Sequence, residues 1–335
     1  MQTRSLLLTS SLGRLHNTYL YCSTKPSLSH NSHIYNSMSN ADDEEFVMPA
    51  EWQPHEACLI LYPHNTGVFR SEVSKCDLAR AEVRNVARAI QNGKENVFIF
   101  CNTQEEADEL RALISTEAAA EQSSSDYKIF VEVCMSDDSW CRDTGPTFVQ
   151  TKVGNRLVGL DWDFNAYGGA EEGAYWPCEV DRKVAKNMID GLSQHYSTAI
   201  GHVKVDDLVL EGGSFHTDGE GTILVTEETL LNKNRNPHLS KEQIESLILE
   251  KLGASKMIWL PHGIAFDHDT NGHIDNIATF ARPGEVVLSW TDDVDDVNYA
   301  RFKAAEDVLL EQVDAKGRPF KVHKLYVPDP MVSAA

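Results

Sequence analysis

SKEQIESLILEKLGASKMIWL, running from Ser240 to Leu260, sets the fold class. Ser240 with Gln243 three residues on has the form of a capping box, and Ile244, Leu247, Ile248 and Leu252 follow at helical spacing until Gly253 stops the helix. Met257 to Leu260 then reads as a short apolar strand. A helix passing directly into a strand belongs to an α/β chain, and the alternation continues on both sides.

Strand-like runs occur at Ala57 to Tyr62, Asn96 to Cys101, Lys128 to Cys134, Arg156 to Trp162, Leu208 to Leu210, Thr222 to Val225 and Glu285 to Trp290. One helix is marked by Leu78, Ala79, Val83, Val86, Ala87 and Ile90 and ends at Gly93. A second opens on Thr103 and Glu106 and runs through Leu110 and Leu113, a third follows Asp181, and a last spans about Asn298 to Val313. No GxGxxG follows the first strand and no Walker loop appears, which argues against a doubly wound nucleotide fold. Runs paired across glycine turns, as at Gly212 to Gly221, favour a repeating mix of hairpins and helices.

The 335 residues carry a formal charge of −21, the wrong sign for nucleic acid or an anionic membrane and the right one for steering in a small cation. No apolar run is long enough to span a bilayer. Seven cysteines without close pairs or zinc-finger spacing fit a reducing compartment and indicate neither a disulfide scaffold nor a structural zinc site. Residues 1–45 read as a leader: the first 41 lack Asp and Glu and are rich in Ser and Thr. That composition suits a mitochondrial or plastid transit peptide or an untargeted disordered leader, with Met38 as an alternative start; otherwise the protein is cytoplasmic.

Three segments concentrate the chemistry. DDSWCRDTGPTF (Asp137 to Phe148) sets Trp140 and Asp143 three apart, an aromatic face and a carboxylate suited to a planar cation. LEGGSFHTDGEG (Leu210 to Gly221) puts Glu211 before a glycine pair that permits close backbone approach, and contains His216-x-Asp218. DTNGHID (Asp269 to Asp275) holds a second pair, His273-x-Asp275, behind a tight bend at Asn271–Gly272. On a strand, His273 and Asp275 would point the same way, and the two pairs compete for a proton-handling role. His262, Asp267, His268, Asp269, His273 and Asp275 also cluster, but no HExxH or Cys-His pattern frames them as metal ligands.

In this order the segments resemble the agmatine deiminase family, a branch of the guanidino-group-modifying enzymes related to bacterial peptidylarginine deiminases. The likeness also takes in MPAEWQPHEACLILYP (Met48 to Pro63), LDWDFNAYGG (Leu160 to Gly169), NRNPHLSKEQIE (Asn234 to Glu245) and KVHKLYVPDP (Lys321 to Pro330). The resemblance implies a pentein, an α/β propeller of five ββαβ-type units, as one domain over residues 46–335. It implies hydrolysis of agmatine to N-carbamoylputrescine and ammonia through a covalent thiol intermediate, without cofactor or metal, and it is compatible with a homo-oligomer. His273 matches the family's general acid/base. Asp143 and Asp275 match its guanidinium-holding carboxylates, and Trp140, Glu211 and Asp269 are expected to line the same pocket. His216 and Asp218 then become structural.

The family's nucleophilic cysteine lies in a GGGNIHC motif several dozen residues beyond the KVHKL region. This sequence, ending at Ala335, does not contain it, and no cysteine follows Cys178. A gene-model error, a splice product and a premature stop all fit. With most of its last unit absent, a propeller would expose strand edges and fold marginally. A guanidine-binding protein without catalysis is the alternative function, and peptidylarginine deimination the nearest enzymatic one.

Overall fold

A computed structural model describes residues 18–21, 45–67, 73–121 and 125–328. Two short strands, β1 (Thr18–Tyr21) and β2 (Phe46–Val47), each join a sheet whose body lies further along the chain. β3 (His55–Leu61), helix α1 (Val73–Asn92), β4 (Asn96–Cys101), helix α2 (Gln104–Glu121) and β5 (Ile129–Val133) follow. They give the sheet order β1-β3-β4-β5, parallel except for β1. Both faces of this sheet are covered, so its strands are continuous apolar runs. Ala57, Leu59, Leu61, Phe98 and Phe100 pack on one side, and Cys58, Ile60, Val97, Ile99 and Cys101 on the other.

The remaining three sheets share one plan: a first strand antiparallel to a second, then a helix, then a third strand parallel to the second. A one-turn helix α3 (Cys141–Thr144) leads into β6 (Thr147–Thr151) and β7 (Leu157–Asp163). The turn α4 (Gly169–Glu172) and helix α5 (Val184–Ser193) connect to β8 (Gly201–Val209), completing the order β2-β6-β7-β8. In the third sheet β9 (Phe215–Thr217) and β10 (Thr222–Thr226) precede α6 (Glu227–Leu230), α7 (Lys241–Leu252) and β11 (Lys256–Leu260). In the fourth, β12 (Ala278–Arg282) and β13 (Glu285–Trp290) precede α8 (Tyr299–Glu311) and β14 (Lys321–Tyr326), an edge on which Leu325 and Tyr326 are exposed.

Each first strand in these three sheets is entered from a single helical turn: α3 before β6, the 3-10 turn Gly212–Ser214 before β9, and the 3-10 turn Ile274–Asn276 before β12. The second of these turns touches both the others, so the plan of the chain gathers three equivalent positions at one place.

The expected capping box of α7 is present in both directions, and Gly253 closes the helix in the left-handed region at φ 63°. For α2 the box closes one residue early: Thr103 Oγ1 accepts from Glu106 N, but the Glu106 carboxylate accepts from Asn102 N. A hairpin does form at Gly212–Gly221, but its strands are β9 and β10; Leu208 and Val209, read as the run on the other side of the glycine turn, end β8 in a different sheet. Strands β2, β6, β9, β12 and β14 were not expected, because they are short, polar or at an edge, where pairing rather than apolar content defines a strand. Leu78 and Leu113 are exposed despite their helical spacing. Within the stretch assigned to a leader, Thr18–Tyr21 pairs antiparallel with β3, while the rest of 1–44 lies outside the described residues. No helix among the described residues is long and apolar enough to cross a membrane.

Candidate active site

The three turns meet at Gly213. A Cβ placed on it would lie 2.4 Å from His273 Nδ1, 2.8 Å from Asp275 Oδ2 and 3.0 Å from Asp143 Oδ1, so only glycine lets these side chains converge. Gly213 N itself donates to Asp143 Oδ1 at 2.9 Å. Asp143 Oδ2 accepts from the Tyr167 hydroxyl at 2.9 Å, which fixes the carboxylate from both ends. Tyr167 and its neighbour Ala166 hold φ of 67° and 54°, a left-handed conformation that costs non-glycine residues energy and concentrates at functional sites. Burial pushes the Tyr167 phenol well above its ordinary pKa, aided by Asp143, so it acts as a donor.

His273 and Asp275 do not sit on a strand as expected. His273 precedes the 3-10 turn Ile274–Asn276, and the strand begins only at Ala278. Asn271 (φ 59°) and Gly272 (φ 92°) make the expected bend. The chain cannot extend there because Asp267 ties it down, its carboxylate accepting from Thr270 N at 3.1 Å, Gly272 N at 3.2 Å and Asn276 Nδ2 at 3.3 Å. His273 and Asp275 still reach one cavity. His273 is 2% exposed, its Nδ1 stands 4.0 Å from Asp143 Oδ1, and its Nε2 has no hydrogen-bond partner.

The cavity measures about 400 Å³, a size suited to a small molecule, and is lined by Trp140, Asp143, Tyr167, Asp269, His273 and Asp275 among others. Asp269 is exposed at its rim. Asp138 also lines it, accepting from Ser139 N at 2.7 Å and from the Trp140 side chain, and burial pushes its carboxyl up to about 6. No lysine or arginine is among the described residues lining the cavity, so it favours a cation. A groove of about 730 Å³ between β2 and the end of α7 is larger, but it mixes Glu45, Glu220 and Glu250 with Lys152 and Lys316 and lies away from the three turns.

Glu211 does not line the cavity. It is fully buried behind it, bound to Arg235 Nε at 2.5 Å and accepting from Ser214 Oγ at 3.2 Å. Burial alone would raise its pKa, but the charges of Arg235 and His273 together with its hydrogen bonds hold it below the usual range. His216 and Asp218 lie elsewhere: His216 packs against Thr279, Phe280 and Glu51, and Asp218 ties its own turn. Among the described residues no group of three or more His, Cys, Asp or Glu is arranged to hold a metal ion. The six described cysteines form no disulfide with one another, are buried and are absent from the lining. Burial raises the thiols of Cys101 and Cys134 to about 12 and that of Cys178 to about 11, suppressing the thiolate form.

Sequence reasoning missed Tyr167, Asp138 and Arg235 as parts of this site. Each stands in a quoted segment, but a left-handed tyrosine and a buried arginine have no local signature. Gly213 had a partial one, the glycine pair after Glu211.

A family model for Porphyromonas-type peptidyl-arginine deiminase matches residues 47–335. The chain is 42% identical over 296 residues to an agmatine deiminase of Pseudomonas aeruginosa, covering 88% of this chain and 74% of that one. It is 42% identical over 293 residues to an agmatine deiminase of Medicago truncatula, covering 85% and 72%. The solved structure of the agmatine deiminase of Enterococcus faecalis superposes with a TM-score of 0.74 at 36% identity, covering 86% of this chain and 73% of that one. The mixed α/β architecture is thus that of known agmatine and peptidyl-arginine deiminase structures.

Proposed function

Since the chain belongs to the Porphyromonas-type peptidyl-arginine deiminase family, we propose that its cavity holds a guanidinium and that its reaction is agmatine deimination, giving N-carbamoylputrescine and ammonia on a route to putrescine. The observation that carries this reading is the convergence of Asp143, Asp275 and His273 on Gly213 in a cavity lined by carboxylates and a tryptophan. A guanidinium stays charged at physiological pH and presents N–H donors in a fixed planar fork. In this reading Asp143 and Asp275 accept that fork, Trp140 covers the planar face, and Asp269 at the rim meets the second cation of agmatine.

The guanidinium carbon is a weak electrophile, so the reading includes a thiolate that adds to it. The C–N bond breaks, His273 protonates the departing ammonia, and an S-linked amidine remains. His273 then deprotonates a water, which adds to the same carbon and expels the thiolate, leaving the carbamoyl group. The described residues place no cysteine at the cavity, so they do not supply this thiol. That observation favours a second reading for the chain acting alone: guanidine binding without turnover.

Calorimetry with agmatine beside an ammonia-release assay separates these readings. Agmatine is expected to bind at one site and to lose affinity in Asp143→Asn. Failure to bind agmatine would end the guanidinium reading. Binding without ammonia supports the second, and equal affinity for an arginyl peptide would return peptidyl-arginine as the substrate.

A further inference from the structure

Behind the cavity wall lies a guanidinium that belongs to the protein. Arg235 is 3% exposed, and its side chain and that of Glu211 are wholly out of solvent. Its Nε donates to Glu211 Oε1 at 2.5 Å. Nη1 donates to the Tyr167 carbonyl at 2.6 Å, to Asn234 Oδ1 at 2.7 Å and to Asn271 Oδ1 at 2.9 Å, and Nη2 to the Thr270 carbonyl at 3.3 Å.

These partners are the supports of the site. Tyr167 orients Asp143, and Thr270–Asn271 leads into the Asn271–Gly272 bend that delivers His273. Glu211 opens the turn carrying Gly213, and its second oxygen accepts from Ser214. Loops from three different sheets are therefore joined through one planar group. A buried ion pair is costly and can often be replaced by apolar side chains without loss, so charge pairing alone does not account for it. Apolar replacements here would leave the Tyr167 and Thr270 carbonyls buried without donors and would strip Asn234 Oδ1 of its donor, while Asn271 Oδ1 would keep only Asn234 Nδ2. Lysine would supply the charge but not donors fixed in a plane.

We propose that Arg235 is a positioning residue, whose fork locks the Tyr167, Glu211 and Thr270–Asn271 segments in the one arrangement that brings Asp143, His273 and Asp275 together at Gly213. The inference rests on the reading of the cavity as a guanidinium site, and it makes the fold itself depend on a guanidinium at the next position inward.

Chemical rescue tests it. Arg235→Ala leaves a guanidinium-shaped hole, and the readouts are the His273 ring signal in NMR, assigned with His273→Gln, and agmatine affinity by calorimetry. The variant is expected to displace the His273 signal and to lose at least about tenfold in agmatine affinity. Low-millimolar free guanidinium should restore the signal, and also the affinity relative to wild type at the same guanidinium concentration, whereas in wild type it only competes with agmatine. Ammonium and urea should restore neither. Restoration by ammonium, no effect of guanidinium, or an unmoved His273 signal in the variant would overturn the proposal. Should Arg235→Ala not fold, Arg235→Lys decides: the charge is kept and the fork lost, so a His273 signal and agmatine affinity equal to wild type would also overturn it. Wild type that fails to bind agmatine would end the guanidinium reading, while the His273 signal would still judge Arg235.

Discussion

His216-x-Asp218 and His273-x-Asp275 are the same short pattern in adjacent units of one structural plan, and their surroundings are opposite. The first lies on β9 and its end, inside a hairpin. His216 Nε2 sits 3.0 Å from Thr279 Oγ1 and 3.2 Å from Glu51 Oε2, and Nδ1 accepts from Phe280 N at 3.3 Å. Asp218 Oδ1 accepts from Glu220 N and Thr222 N at 2.8 and 2.9 Å, closing the hairpin turn. The second pair lies in the turn before its strand, and there His273 Nε2 has no partner and the side chains face a cavity. A buried polar group without a partner costs stability, so the bare Nε2 of His273 at the cavity points to a ligand, whereas both ring nitrogens of His216 are engaged; Asp218 Oδ2 also lacks a partner, but Asp218 lines neither the cavity nor the groove. Moving the pair by one element, from strand to entering turn, is what brings one of them to the cavity.

The change expected to break this contrast most severely is Gly213→Ala. Its Cβ must displace His273, Asp275 and Asp143 together. Agmatine binding should vanish in calorimetry, with a stability loss of roughly 1–3 kcal/mol in a denaturant titration. Next in size, His216→Gln should cost about 1–3 kcal/mol by stranding its partners while agmatine affinity stays at the wild-type value. His273→Gln should show the reverse, unfolding near the wild-type midpoint yet releasing no ammonia even when a competent thiol is supplied.

Acid–base linkage sharpens the contrast further, because the two regions carry opposite signs. Beside His216, burial pushes the Glu51 carboxyl up, but the His216 hydrogen bond and the Arg142 charge outweigh it and hold it far below 4.5. Its stabilisation is therefore present above about pH 4.5 and lost as pH falls below it. Beside the cavity, burial raises Asp138 from 3.8 to about 6, so its contribution is full below pH 3.8 and lost as pH rises through 6. Asp138→Asn should therefore gain on the order of 1–3 kcal/mol over wild type above pH 6 and nothing at pH 4. Glu51→Gln should weaken the fold at neutral pH and flatten the acid limb of the unfolding curve.

The alternation of helices and strands was legible wherever a strand is buried on both faces or a helix carries its own caps, as at Asn96–Cys101 and Ser240–Gly253. Strands such as Lys321–Tyr326 were not legible, because that edge strand is polar and largely exposed, and only its pairing with β13 defines it. Trp140, Asp143, Asp269, His273 and Asp275 line one cavity; the family resemblance implied this grouping, whereas local spacing did not, and it placed the last two on the wrong element. Glu211 was misplaced for a definite reason: its partner Arg235 stands 24 residues away, and nothing in LEGGS announces a buried arginine behind it. Long-range polar satisfaction is the property that short motifs do not encode.

The central claim is that position in the fold, not the His-x-Asp pattern, makes one pair a guanidinium site. Agmatine titration calorimetry of Asp275→Asn against Asp218→Asn, each beside wild type, tests it most directly. Asp275→Asn should lose affinity by at least about tenfold and Asp218→Asn should keep it. Equal losses in the two variants, or a loss confined to Asp218→Asn, would contradict the account.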